Sequence, residues 1–267
     1  MYRRILIPVA MPAEVEPLIR FAANLLEPTG EIRILHVIPT VTIPEVAREW
    51  RASVNVVIPA HETGAALDIP VEPEVRASRD VPGEILETAE NHGVDAILLT
   101  LRGSRRSRNP FVGHTATALL QHASADVVIV NRLALLEEAP GKILLPTLGE
   151  QPPRKGLLLA EHLSIRHHGI PVVTLRFSPD APEEPVHRET TTSRGIPLRE
   201  KWVRMPLRFF ARHRGLPEAI LAQVAQERYG LCIVAEDSRR SEGPLLTRRF
   251  LEELFRNAPC PILAVRG

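Results

Sequence analysis

The segment VPGEIL at residues 81–86 returns as LPEAIL at 216–221, a shift of 135 residues. The same shift lays AILLT (96–100) on LCIVA (231–235), and TALLQHASADVVIV (117–130) on EELFRNAPCPILAV (252–265). RILIPV at 4–9 is echoed by KILLPT at 142–147, and SRRS occurs at 104–107 and again at 238–241. A solenoid needs three or more short repeats, so one long repeat taken twice points to duplication of a whole domain. Residues 1–132 and 142–267 are expected to be two domains, joined by LALLEEAPG at 133–141. A chain of 267 residues accommodates both.

Each copy alternates strand and helix patterns. In the first, the apolar run at 4–9 reads as a buried strand. Val15, Leu18, Ile19, Ala22, Leu25 and Leu26 then recur at helical spacing, up to Pro28 and Gly30. IRILHVI at 32–38 is the second strand. A helix is expected near 44–53 and a third strand near 70–77. Asp80-Val81-Pro82 opens a further helix, with Asp80 placed to accept a bond from a free N–H and proline tolerated in the first turn. AILLTL at 96–101 is the fourth strand, a helix carries Ala116, Leu119, Leu120 and Ala123, and DVVIV at 126–130 is the fifth strand. Strands this continuously apolar are buried on both faces. The pattern predicts an α/β fold, two tandem doubly wound domains each built on a five-stranded parallel sheet. Residues 178–200, rich in Pro, Glu, Thr and Arg, are expected to be an irregular surface excursion in the second copy.

Charge and cysteine usage exclude several classes. With 33 basic against 32 acidic residues the net charge is +1. No global field favours nucleic acid or a membrane surface, and any anion site must be local. No apolar run approaches the ~20 residues of a membrane span, so membrane insertion is not expected. The start, MYRRILIPVAM, reads as a strand rather than a leader, because Pro12 and Glu14 interrupt it and no small-residue cleavage site follows. Cys232 and Cys260 lie in or beside apolar runs and read as small buried hydrophobes in a reducing cytoplasm. No catalytic constellation and no metal-ligand motif is present.

Ligands of open parallel sheets bind outside the carboxyl ends of the strands. The loop that follows the fourth strand, from Thr100 to Thr115, therefore matters most. It holds Gly103 and Gly113 with nine residues between them and the basic residues Arg102, Arg105, Arg106 and Arg108. Glycines let a backbone approach phosphate oxygens. A helix N-terminus after Gly113 offers free N–H groups and partial positive charge, and arginines bind polyphosphate through charge-assisted bonds. An exposed basic turn over an ordinary helix start accounts for the same residues.

The loop resembles the nucleotide loop of the universal stress protein family, Gly-x2-Gly-x9-Gly-Ser/Thr. His36-Val37 at the end of strand two and NAPCPILAVR (257–266) in the second copy are similar to that family too. The resemblance covers nearly the whole chain, apart from the linker and 178–200. It implies an adenine nucleotide hydrolase-like architecture and a stress-response regulatory module. The implied cofactor is an adenine nucleotide, ATP or AMP, held in the first copy at Pro8, Val9, Ala10, Val37, Thr100, Arg102, Gly103, Gly113, His114 and Thr115.

The departures are specific. Thr100 stands at the family's first glycine, His114 at its Ser/Thr position with Thr115 one step later, and Ala10 where an acidic residue is expected to hold adenine or ribose. In the second copy the positions fall on Ala235, Ser238 and Arg248-Arg249, with no glycine, and the residue after Pro146-Thr147 is Leu148. The place of the SGGxDS-like loop of related nucleotide-hydrolysing enzymes holds PVAMPAE (8–14), so no enzyme activity is expected. Two readings stay open, a nucleotide-binding module and a nucleotide-independent scaffold acting through a protein partner; the resemblance is also compatible with weak ATP hydrolysis, for which the sequence offers no obvious base or metal ligand. The resemblance also implies pairing of 126–130 with 261–265 as an internal pseudo-dimer, and leaves room for a homodimer of whole chains.

Overall fold

The computed structural model describes residues 1–40, 42–100, 113–131, 141–148, 151–178, 180–181, 187–204, 215–237 and 246–267. They divide into two units, one of Met1–Thr100 with Gly113–Val128, the other running from Ile129 to Gly267.

The first unit contains β1 (Tyr2–Val9), a 3-10 turn (Pro12–Glu14), α1 (Val15–Ala23), β2 (Leu26–Ile38), α2 (Ile43–Ala52), α3 (Val54–Leu67) and β3 (Val71–Ala77). It continues with α4 (Val81–Asn91), β4 (Ala96–Thr100), α5 (His114–His122) and the first three residues of β5 (Asp126–Val130). Strand order is β3-β2-β1-β4-β5. β1 pairs in parallel with β2 and β4, and β2 with β3. Ile5, Leu6, Ile7, Ile32, Ile34 and Leu35 are fully buried along the middle strands, each stabilising by ~1.5–3 kcal/mol. Helix α1 presses Leu18 and Ile19 into this core, and α4 adds Ile85. Asp80 caps α4 as its position suggested, Oδ1 accepting from the Gly83 N–H at 3.1 Å.

Helix α3 is absent from the sequence expectations. Pro59 lies inside it and Gly64 follows, both of which read as breakers. The glycine is there for packing. A Cβ on residue 64 would stand 2.6 Å from Val71 Cγ2 and 2.9 Å from the Ile69 carbonyl. Asp68 then ends the helix in the left-handed region, at φ 54°.

The second unit contains β6 (Ile143–Leu148), α6 (Arg154–Arg166), β7 (Val172–Ser178), β8 (His187–Thr191), β9 (Pro197–Arg204), α7 (Leu216–Glu227), β10 (Leu231–Glu236), α8 (Arg248–Asn257) and β11 (Ile262–Arg266). Strand order is β11-β10-β6-β7-β9-β8. β6 pairs in parallel with β7 and β10, β10 with β11, and β7 with β9, whereas β8 runs antiparallel to β9.

The segment expected to be irregular therefore corrects to a hairpin over 187–204. Its turn is closed by the Thr192 N–H donating to the Ile196 carbonyl at 2.9 Å, with Gly195 at φ 79°. β9 holds the place of a third strand and β8 adds an antiparallel edge. Their polar composition hid them, because an edge hairpin buries little. Arg188, Glu189, Thr190 and Thr191 of β8 are all exposed.

Candidate functional site

At the carboxyl edge of the first sheet, the register sets Pro8 beside Leu35 and Val9 beside His36. Ile5 faces Ala96 and Leu6 faces Ile97. The same register carried forward brings Thr100 next to Val9. Pro8, Val9, Val37 and Thr100 thus end three neighbouring strands, and Ala10 follows, exposed.

Helix α5 begins at the same edge. The Asp126 N–H donates to the Asp95 carbonyl at 3.0 Å, so β4 and β5 start level with each other. Three residues join α5 to β5 at that opposite edge. A nine-residue helix rises ~13 Å beside a five-residue strand of ~16 Å. Its other end, Gly113-His114-Thr115, therefore returns to the carboxyl edge.

Among the described residues no side chain caps the start of α5, as at α1, α2, α3 and α7, and its N-cap Gly113 has φ −67°, ψ 171°, extended backbone open to any residue. A Cβ added there would meet nothing within 4 Å. His114 is exposed and Thr115 half-buried. Thr117 turns inward, its hydroxyl donating to the Gly113 carbonyl at 3.1 Å. Arg102 and Gly103, with Arg105, Arg106 and Arg108, lie outside the described residues.

Two residues that the sequence reading named but did not place in the site stand at this edge. Glu14, from the 3-10 turn, folds its carboxylate back: Oε2 accepts from the Ala10 N–H at 3.3 Å and from the Met11 N–H at 3.2 Å. An acidic group therefore reaches the end of β1 although residue 10 is alanine. The signal was the P-A-E turn three residues on, a pattern read only as a break. His36 Nδ1 lies 3.0 Å from the Val9 carbonyl. A carbonyl only accepts, so the proton sits on Nδ1, and in the neutral ring Nε2 is an acceptor.

The corresponding edge of the second unit is filled by its own acids. Asp237, just past β10, accepts from the Arg154 N–H at 3.0 Å and the Lys155 N–H at 3.4 Å, capping α6. Glu236, 6% exposed, accepts from the Leu246 N–H at 3.2 Å. Thr247 caps α8, its hydroxyl accepting from the Phe250 N–H at 3.3 Å. Arg248, at the start of α8, pairs with Glu252. Arg176 stands in β7 where His36 stands in β2; it pairs with Glu200 at 3.0 Å and lies over the Trp202 ring at 5.1 Å. Ser238, Arg239 and Arg240 are outside the described residues. Cys232 and Cys260 are buried free thiols, and burial pushes the Cys232 thiol well above the ordinary range. Among the described residues no helix is long and apolar enough to cross a membrane.

This arrangement is an α/β fold built on mostly parallel strands. Residues 1–131 match the universal stress protein family, and this half of the chain belongs to that family. The chain carries the fold twice in tandem. A universal stress protein from Archaeoglobus fulgidus is similar over 98% of this chain and 95% of its own, with 14% identity and a TM-score of 0.68. The cytoplasmic domain of a prokaryotic cation chloride cotransporter is similar over 99% of this chain and 95% of its own, with 11% identity and a TM-score of 0.58. At these identities the likeness concerns the fold. No curated protein matches the chain.

Proposed function

We propose that the first unit binds an adenine nucleotide, ATP or AMP, and that occupancy alters how the chain meets a protein partner. One observation carries the reading: α5 starts uncapped, on a glycine that neither its backbone angles nor its neighbours among the described residues require. A phosphate group is the chemistry such a start accepts, through free N–H groups and the helix dipole. Base and ribose would then lie toward Pro8, Val9, Ala10 and Val37, near the Glu14 carboxylate, with Thr100, His114 and Thr115 closer to phosphate. Arg102 and Gly103 belong to the same proposal by the loop spacing.

The second unit would take no nucleotide, since Asp237, Glu236 and Thr247 already occupy N–H groups that a phosphate needs. The reading is of a cytoplasmic binding module and not of an enzyme. The two buried free thiols support a reducing setting.

Mass spectrometry of small molecules released from the purified protein, with calorimetry using ATP, AMP and cyclic dinucleotides, tests the proposal. An adenine nucleotide binding at one per chain is expected. Silence in both measurements overturns it in favour of a nucleotide-independent scaffold.

A further inference from the structure

Helix α2 buries none of its ten residues. Short helices draw most of their stability from a packed face, and among the described residues this one packs only half-buried side chains, Val46 and Glu49, within its own unit. It runs on into α3 with little break: Ser53 is helical (φ −65°, ψ −16°), its N–H donates to the Glu49 carbonyl at 2.9 Å, and the Val57 N–H donates to the Ser53 carbonyl at 3.0 Å. The buried side of the pair is Ser53, Val56, Ala60, Thr63 and Gly64.

Away from that side runs a stripe of exposed residues, Ile43, Ala47, Trp50, Val54, Ile58, His61 and Ala65. Ile43 is 84% exposed, Trp50 52%, Val54 49% and Ile58 50%, far more than large apolar side chains elsewhere in this core. The spacings are four, three, four, then four, three, four, so the stripe reads the same in both directions about Val54. Such a stripe is complementary to its own antiparallel copy, the condition for a two-fold interface.

We infer that this face is where a second copy of the chain docks, α2–α3 against α2–α3, with the two-fold axis at Val54. Val54 then meets the partner's Val54, Trp50 the partner's Ile58, Ala47 the partner's His61, and Ile43 the partner's Ala65. Charge agrees with this register. Arg48 and Arg51 flank the stripe toward its start and Glu62 flanks the same side toward its end. The antiparallel arrangement carries both guanidinium groups toward the partner's Glu62. Arg48 already touches Glu49 at 3.2 Å, an exposed pair that yields little by itself. The inference is independent of nucleotide binding.

Analytical ultracentrifugation of the full chain over a concentration series is the primary test, and a reversible dimer is expected. Trp50→Glu should weaken it by roughly 100-fold, as loss of a central aromatic anchor does, with an unchanged circular dichroism spectrum. Glu62→Arg should weaken it by roughly tenfold, and combining it with Arg48→Glu and Arg51→Glu should restore it. Val54→Cys should cross-link to itself under mild oxidation, with Cys232 and Cys260 too buried to compete. A chain that stays monomeric at every concentration overturns the inference. So does a dimer indifferent to Trp50→Glu and the charge reversals, a dimer whose Val54→Cys form does not cross-link, or a stripe that binds anionic vesicles in place of a second copy.

Discussion

Three glycines show that one residue type can be demanded by packing at two positions and not at a third. Gly64 and Gly156 are required by close packing: a Cβ on residue 156 would stand 2.6 Å from Ala235 Cβ and 2.8 Å from Leu145 Cδ1. Gly64→Ala should therefore destabilise by about 1–3 kcal/mol, as overpacking does, read as a lowered denaturation midpoint. Gly113 has neither obligation. Gly113→Asp places a good N-cap at α5, so stability should hold or rise by a few tenths of a kcal/mol (roughly the Gly-to-Asp difference). The same carboxylate would repel phosphate, and calorimetry should show nucleotide affinity falling at least about tenfold. Stability lost together with binding would mean the position serves folding. Elsewhere, Glu227 anchors Lys201, which is 8% exposed, and accepts from the Tyr229 hydroxyl at 2.8 Å. Burial pushes the Glu227 carboxyl up, but the bonds from Lys201 and Tyr229 and the charges of Lys201 and Lys142 outweigh it and hold it below its ordinary 4.5. A lowered folded-state value adds stability that is present above the unfolded value and lost as pH falls through the folded one. Glu227→Gln should cost about 2 kcal/mol at pH 7, by leaving the ammonium without its carboxylate. That deficit should shrink in denaturation curves taken progressively below pH 4.5.

At the level of elements, the start of α5 differs from that of its counterpart in the repeat, α8. Asp80 caps α4, Asp237 reaches across from β10 to cap α6, and Thr247 caps α8. Among the described residues α5 has no such partner, and α7 likewise starts on a glycine, Gly215, without a side-chain cap. Asp237→Ala should cost about 1 kcal/mol, the usual worth of a cap, and leave nucleotide binding in the first unit unchanged. A change in binding would count against confining the ligand to that unit. The hairpin of β8 and β9 makes a related point. Its residues alternate too weakly to announce a strand, yet β9 pairs with β7 from Val172 to Ser178, so sheet pairing overrode local composition.

For the whole chain, the proposed asymmetry has a calorimetric consequence. Ligand that binds only the native state stabilises it by about 2.7 kcal/mol at 100 times Kd. Titration should reach one nucleotide per chain, and the thermal shift that nucleotide produces should vanish in Gly113→Asp. Two equivalents bound would contradict the reading of Asp237 and Glu236 as built-in occupants of the second edge. A duplicated domain of this kind keeps its core in both copies and can lose its ligand edge in one. Core strands such as AILLT and LCIVA must stay apolar for folding, whereas loop residues answer only to the ligand.

The duplication, the strand and helix alternation and the caps at Asp80 and Pro82 were all legible in the sequence, because burial imposes periodicity and helix starts impose residue types. Helix α3 was not, since Pro59 and Gly64 look like breakers until the approach of Val71 is known. The β8–β9 hairpin was hidden by an edge position that asks for little apolar character. At the site, the sequence by itself determined which residues end the strands and where Gly113 opens a helix. Only the tertiary structure decided that Glu14 folds back to the end of β1, that His36 holds the Val9 carbonyl, and that Asp237 closes the second edge by reaching residues 82 and 83 positions away. Periodicity reports burial along one element. These contacts join elements distant in sequence, and nothing short of the packed sheet brings them together.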